Sequence, residues 1–236
     1  GRGYYLHYYA ALGLARIVGI ERDPAIAAVA ARALAGAPAA QVLVGSATSL
    51  PLPDGCAAGI VMSEVLEHVD DDLRALREAA RVLRPGGVVA LTVPHDRYPW
   101  LWDPVNRTRE RLGVAPVREG ALAGIWAGHL RLYSERQLAA LAAQAGFDVV
   151  ETRRFGRVSW PFAHNLIYGV GKPLLESGRV PASLARAVDR RGGEGASRTS
   201  PWRALRAAFL WPDRFNRDDE GPAAATVNLA MRLVRR

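Results

Sequence analysis

Two glycines and an acid stand where a nucleotide could be held. Gly1-Arg2-Gly3 opens the chain, and the run "RIVGIE" closes on Glu21. A glycine pair lets backbone approach a ligand closely, and the start of a following helix attracts an anionic group. An acidic side chain at a strand end can accept both hydroxyls of a ribose. The pair alone also suits a plain tight turn. A dinucleotide fingerprint wants G-x-G-x-x-G. With Gly1 and Gly3 as its first two glycines, Leu6 takes the third place and Tyr4 and Tyr5 crowd the pyrophosphate, which counts against NAD. Three histidines invite an acid–base reading. His68, in "LEHV", either acts as a general base or orders the loop before the next helix. His95 follows a strand, and His129 sits in "GHLRLY" beside Tyr133. Each either faces an acceptor or satisfies a turn. Cys56 is the only cysteine, and no Cys/His cluster has metal spacing, so no metal is expected.

These residues need elements to position them. A helix is expected over 3–12, ended by Gly13, then a β-branched strand over 16–21. Pro24 opens a helix that runs to Gly36. Strands follow over 41–45 and 57–63. "DDDLRALREAARVLRPGG" reads as an amphipathic helix with Leu73, Leu76, Ala80 and Leu83 on one face, stopped by Pro85-Gly86-Gly87. "VVALTVP" is a fourth strand. Ser134 caps a helix that Gly146 ends, and "FDVVETRRF" is a fifth strand. Strands alternating with helices argue for an α/β, doubly wound, mostly parallel sheet. "ATVNLAMRLVRR" alternates with period two and fits an antiparallel last strand. Between 156 and 222 the pattern breaks. "SWPFAHNLIYGVGKPLL" is apolar and aromatic, "DRRGGEGASRTS" reads as a mobile loop, and "PWRALRAAFLW" as a short basic amphipathic helix. The stretch reads as an insertion before the last strand, within a single domain over 1–236.

The chain has 236 residues, half of them hydrophobic, which is enough for one domain core. Its formal charge is +8. Lys172 is the only lysine, and alanine is abundant, as biased coding would give. The basic balance is therefore discounted. Nucleic-acid binding is not favoured, because no basic-plus-aromatic module stands out. A reducing, cytoplasmic setting is the default for so little cysteine. No apolar run reaches the roughly 18 residues of a membrane span.

"GSATSLPLPDGCAAGIVMSEVLEHVDD" followed by "REAARVLRPGGVVALTVP" resembles the class I S-adenosylmethionine-dependent methyltransferases. So do "ERDP" after the acidic strand and "GHLRLYSERQLAALAAQAGFDVVE". The blocks match in order and spacing from about residue 1 to 151. The resemblance implies a Rossmann-like fold with an antiparallel seventh strand, and S-adenosylmethionine as cofactor. It also implies that "GRG" is the tail of a Gly-x-Gly-x-Gly turn. The family's first strand, central between those ending at Glu21 and Ser63, is then absent from this chain, which reads as an N-terminally truncated fragment. By that resemblance Gly1 and Gly3 approach the methionine part of the cofactor, and Glu21 holds the ribose hydroxyls. Arg22 lies near the adenine. "GSA" departs from the family's common "GDA", putting Ser46 where an aspartate often meets the adenine amino group, a weaker contact. Ala47 offers its amide, and Ser63 and Glu64 line the methionine side. The acceptor, a small or lipid-like molecule, stays unidentified: "WPFAHNLIYGVGKPLL" either touches a lipid or apolar substrate or packs as a helix on the sheet, and peripheral membrane contact stays open. Trp100 and Trp102 either cap its pocket or anchor packing. A scaffold that kept the fold without catalysis, favoured slightly by Ser46, and a basic nucleic-acid-binding protein are the alternatives.

Overall fold

A computed structural model describes residues 1–162, 165, 207–208 and 210–236. Most of the apolar stretch 159–175, all of the loop 189–200 and most of the basic helix expected over 201–211 lie outside the described residues. The described elements are α1 (Tyr4–Ala11), β1 (Ile17–Glu21), α2 (Pro24–Ala33), β2 (Ala40–Val44), β3 (Ala57–Ser63), α3 (Asp72–Val82), β4 (Leu83–Pro94), α4 (Pro104–Arg111), α5 (Glu135–Gln144), β5 (Phe147–Phe155) and β6 (Asn228–Arg235). Single 3-10 turns lie at Leu66–His68, Gly124–Trp126 and Trp211–Phe215. The chain forms two compact units. One is Gly1–Leu91 with Ala139–Val150 and Arg232–Arg236; the other is Thr92–Leu138 with Glu151–Met231.

In the first unit, β1 and β2 pair in parallel, with Ile17 opposite Ala40 and Glu21 opposite Val44. Asp23 starts α2: its Oδ1 accepts from the amides of Ala25 (2.7 Å) and Ile26 (3.2 Å), and Pro24 takes the first helical position. Asp71 does the same for α3 through the Arg74 amide at 2.8 Å. The buried side of α3 is Ala75, Leu76, Ala79 and Val82. It is rotated from the face expected at Leu73, Leu76, Ala80 and Leu83; Leu73 and Ala80 are only half-buried. The small Ala75 and Ala79 are both fully buried. The helix also stops earlier than expected. Leu83 is already extended, and β4 includes Pro85-Gly86-Gly87. Proline pushes its predecessor, Arg84, out of helical conformation.

The strands form a pair, β1-β2, and a four-stranded sheet in the order β3-β4-β6-β5. The Val227 carbonyl accepts from the His95 amide at 2.8 Å, and the Val227 amide donates to Gly156 at 3.0 Å. At the other end, the Arg236 amide donates to the Gly146 carbonyl at 3.1 Å, and Arg235 donates to that of Leu83. The start of β6 thus meets the ends of β4 and β5, and its end meets their starts, so β6 is antiparallel to both. Among the described residues, no strand pairs with the free edge of β1 or that of β3. Burial follows this break. Every β1 residue is only half-buried and β3 exposes Ala58, Gly59 and Val61, whereas β4 fully buries Val89, Leu91 and Val93.

The second unit packs Tyr98, Ile125 and Val227 with Trp102, Trp126 and Leu132. Asp103 is fully buried and accepts from the Asn106 amide (3.2 Å), Asn106 Nδ2 (2.8 Å) and the Ile125 amide (3.0 Å). Gly124 is held at φ 51°, and a Cβ there would fall 1.8 Å from Asp103 Oδ2, so only glycine fits. Ser134 caps α5 reciprocally: its Oγ accepts from the Gln137 amide at 3.2 Å, and Gln137 Oε1 accepts from the Ser134 amide at 3.1 Å. No helix among the described residues is long and apolar enough to cross a membrane.

Candidate cofactor site

Glu21 is the focus of the first unit. It ends β1, and its Oε1 accepts from the Asp23 amide at 2.9 Å. Its Oε2 accepts from the amino group of Gly1. Burial alone would raise its pKa. The donors of Asp23, the chain amino group and Arg22 outweigh that and hold the carboxyl below its usual range. Glu21 is therefore a carboxylate acceptor at a strand end, held by the Asp23 amide, of the kind that can accept from a ribose diol.

Gly3 starts α1 at φ 81°, and a Cβ there would lie 3.2 Å from Ala30 Cβ. Glycine thus permits both the left-handed turn and the close approach to α2. The Gly45 amide donates to the Glu21 carbonyl at 2.9 Å, so the loop bearing Ser46 and Ala47 begins beside Glu21. Ser46 turns inward on that loop. Its Oγ accepts from the Thr48 amide at 3.2 Å and lies 2.9 Å from Thr48 Oγ1. Ala47 is half-buried, and Arg22 is exposed. The structure thus groups Gly1, Gly3, Glu21, Ser46 and Ala47.

Ser63 closes β3, and its Oγ lies 3.4 Å from the Tyr5 hydroxyl. Glu64 follows at φ 53°, a left-handed conformation unusual for a residue with a side chain. Such strain concentrates at functional positions. Next comes the turn Leu66–His68. Glu67 is fully buried, and burial, then the Glu64 charge, push its carboxyl up to about 8 against its own amide. His68 is 45% exposed, with Nε2 3.6 Å from Glu67 Oε1.

Sequence reasoning missed the clamp that sets the Ser46 loop. Arg74, Glu78 and Arg81 share the polar side of α3. Arg74 Nε donates to the Thr48 carbonyl (2.9 Å), and Glu78 Oε2 accepts from the Leu50 amide (2.9 Å). Arg81 donates to the carbonyls of Leu50 (3.0 Å) and Leu52 (2.9 Å) and to Asp54 (2.6 Å). The signal was a polar spacing of i, i+4, i+7 opposite the apolar seam.

His95 and His129 lie in the second unit. His95 is 3% exposed, with Nδ1 2.9 Å from Thr226 Oγ1 and Nε2 3.5 Å from Asp96 Oδ1. Burial lowers its pKa, so the ring is neutral at pH 7. These contacts tie the end of β4 to the segment entering β6. The His129 amide donates to the Trp126 carbonyl at 3.2 Å, and its own carbonyl accepts from Arg118 at 2.9 Å. Trp102 is the packing anchor of the pair; Trp100 is 45% exposed and donates to Thr108 Oγ1 at 3.1 Å.

Residues 1–91 match the family described as the methyltransferase domain. That match spans the glycine pair, Glu21, the Ser46 loop and Glu64. A probable S-adenosylmethionine-dependent methyltransferase of Mycolicibacterium smegmatis is 31% identical over 138 residues, 58% of this chain and 45% of that protein. An uncharacterised protein carried in a transposon of Streptomyces fradiae is 33% identical over 144 residues, 57% of this chain and 36% of that protein. The alignments thus span less than half the length of these relatives. Among solved structures, the [4+2]-cyclase SpnF superposes with a TM-score of 0.56 at 19% identity, over 100% of this chain and 71% of that one. That likeness is one of fold.

Proposed function

We propose that this chain belongs to the class I S-adenosylmethionine-dependent methyltransferase family, binds S-adenosylmethionine in its first unit and serves methyl transfer to a small or lipid-like acceptor. The observation that carries the reading is the Glu21 carboxylate, ionised at a strand end and grouped with the Gly1 and Gly3 turn and the Ser46 loop. The donor set fits the group. Glu21 would hold the ribose hydroxyls, Gly1 and Gly3 would let backbone approach the methionine part, and Ser63 and Glu64 would line that side. Arg22, Ser46 and Ala47 would border the adenine. In this reading residues 1–236 act as one domain with a doubly wound, mostly parallel sheet and an insertion at about 156–222.

The cofactor would supply an already activated sulfonium methyl. The protein then has to align an acceptor and exclude water, and positioning contributes several kcal/mol. A base is required only when the acceptor carries a proton at attack. His68 is the more accessible candidate, because the His95 ring is buried against Thr226 and Asp96.

A non-catalytic scaffold is the second reading. It is favoured by Ser46, whose hydroxyl is turned to Thr48 and away from the role of the missing aspartate. Titration of the natural full-length protein with S-adenosylmethionine separates the two. Glu21→Ala should weaken binding on the order of ten- to a hundredfold, since a charge-assisted contact contributes about 1.5–3 kcal/mol. Unchanged affinity would remove Glu21 from the site, and a wild-type protein that does not bind would favour the scaffold.

A further inference from the structure

Tyr5 is the aromatic side chain that α1 brings to the carboxyl end of β3. The helix is fixed on its other flank. An ideal Cβ at Gly19 of β1 would fall 2.4 Å from Leu6 Cδ1, so Leu6 fills the space that glycine leaves. With Leu6 held on β1, Tyr5 reaches the other way, to Ser63 Oγ at 3.4 Å. Its ring stacks on Tyr9 one turn later, with centroids 6.4 Å apart and planes inclined at 21°. Yet Tyr5 is 51% exposed, so this stacked pair leaves aromatic surface in water. Gly1 and Gly3, four and two residues earlier, are beside Glu21 and α2. One short segment therefore carries the glycine turn at one strand end and an open aromatic ring at another.

We infer that Tyr5, with Ser63, forms the wall against the sulfonium end of the cofactor and selects the charged methyl donor over its neutral thioether product. This rests on the cofactor reading above. A cation over a tyrosine face is attracted by the ring quadrupole, and a neutral thioether is not. A ring held in this place favours the loaded donor and eases departure of the spent product. The hydroxyl contact to Ser63 orients the ring, while the discrimination belongs to its face.

The experiment measures the affinities of S-adenosylmethionine and S-adenosylhomocysteine for the natural full-length protein and for Tyr5→Leu and Tyr5→Phe. Tyr5→Leu should weaken S-adenosylmethionine binding on the order of three- to thirtyfold and leave S-adenosylhomocysteine within about twofold. Retained thioether binding also shows that the variant is folded. Tyr5→Phe keeps the ring and should keep the wild-type ratio. Equal weakening of both ligands by Tyr5→Leu, or an unchanged ratio, overturns the inference and leaves the cofactor reading standing. Failure of the wild-type protein to bind either ligand overturns both.

Discussion

Glu67 makes the first unit sensitive to pH. Its carboxyl is fully buried, and neither oxygen has a hydrogen-bond partner in another described residue. Burial, then Glu64, raises its pKa from 4.5 to about 8. An acid whose folded-state pKa is raised binds its proton in the native state after the unfolded chain has lost it. Between about pH 4.5 and 8 the native state therefore holds more protons, and stability falls as pH rises, by up to about 1.4 kcal/mol per unit. Glu67→Gln should flatten that slope in denaturant melts across this range; an unaltered slope would show that Glu67 does not stay protonated. Glu67 was hidden in the sequence because "LEH" looks like any polar turn, and only the packing around it reveals a buried acid. Glu21 was legible, because an acid closing a β-branched run after a glycine pair is a local pattern.

At the scale of elements, the break in the sheet is the main feature. The family's first strand was expected between the strands that end at Glu21 and Ser63, and those strands, β1 and β3, do not pair with each other. Each keeps an open edge, and both are incompletely buried. Backbone groups left unsatisfied on burial cost about 1–3 kcal/mol each, and a domain's net stability is about 5–15 kcal/mol. A strand between them would satisfy both edges. A chain that places a strand there should accordingly melt at higher denaturant than residues 1–236 and bind the cofactor more tightly; equal midpoints and affinities would mean that nothing fills this break. Strand and helix identities were readable here because apolar periodicity and caps are local. The boundary at Leu83 and the rotated seam of α3 were not, because they depend on the proline at 85 and on which side of the helix, Ala75 and Ala79 included, the packing buries. The partners of Arg74, Glu78 and Arg81 were also hidden, since they are mostly backbone groups of a loop distant in sequence.

For the whole molecule, composition says little about chemistry. The charge of +8 comes almost wholly from arginine, and Arg74 and Arg81 bind the protein's own loop carbonyls. Fold says little more, since a protein described as a [4+2]-cyclase shares it. The functional claim therefore stands on where the cofactor binds. Hydrogen exchange of the natural full-length protein, with and without S-adenosylmethionine, tests this directly. The account predicts slowed amide exchange on cofactor addition at 1–5, 21–23, 45–48 and 63–66, the segments carrying the glycine turn, Glu21, Ser46 and Ser63. No protection at these segments, or protection confined to residues 95–133, would contradict it.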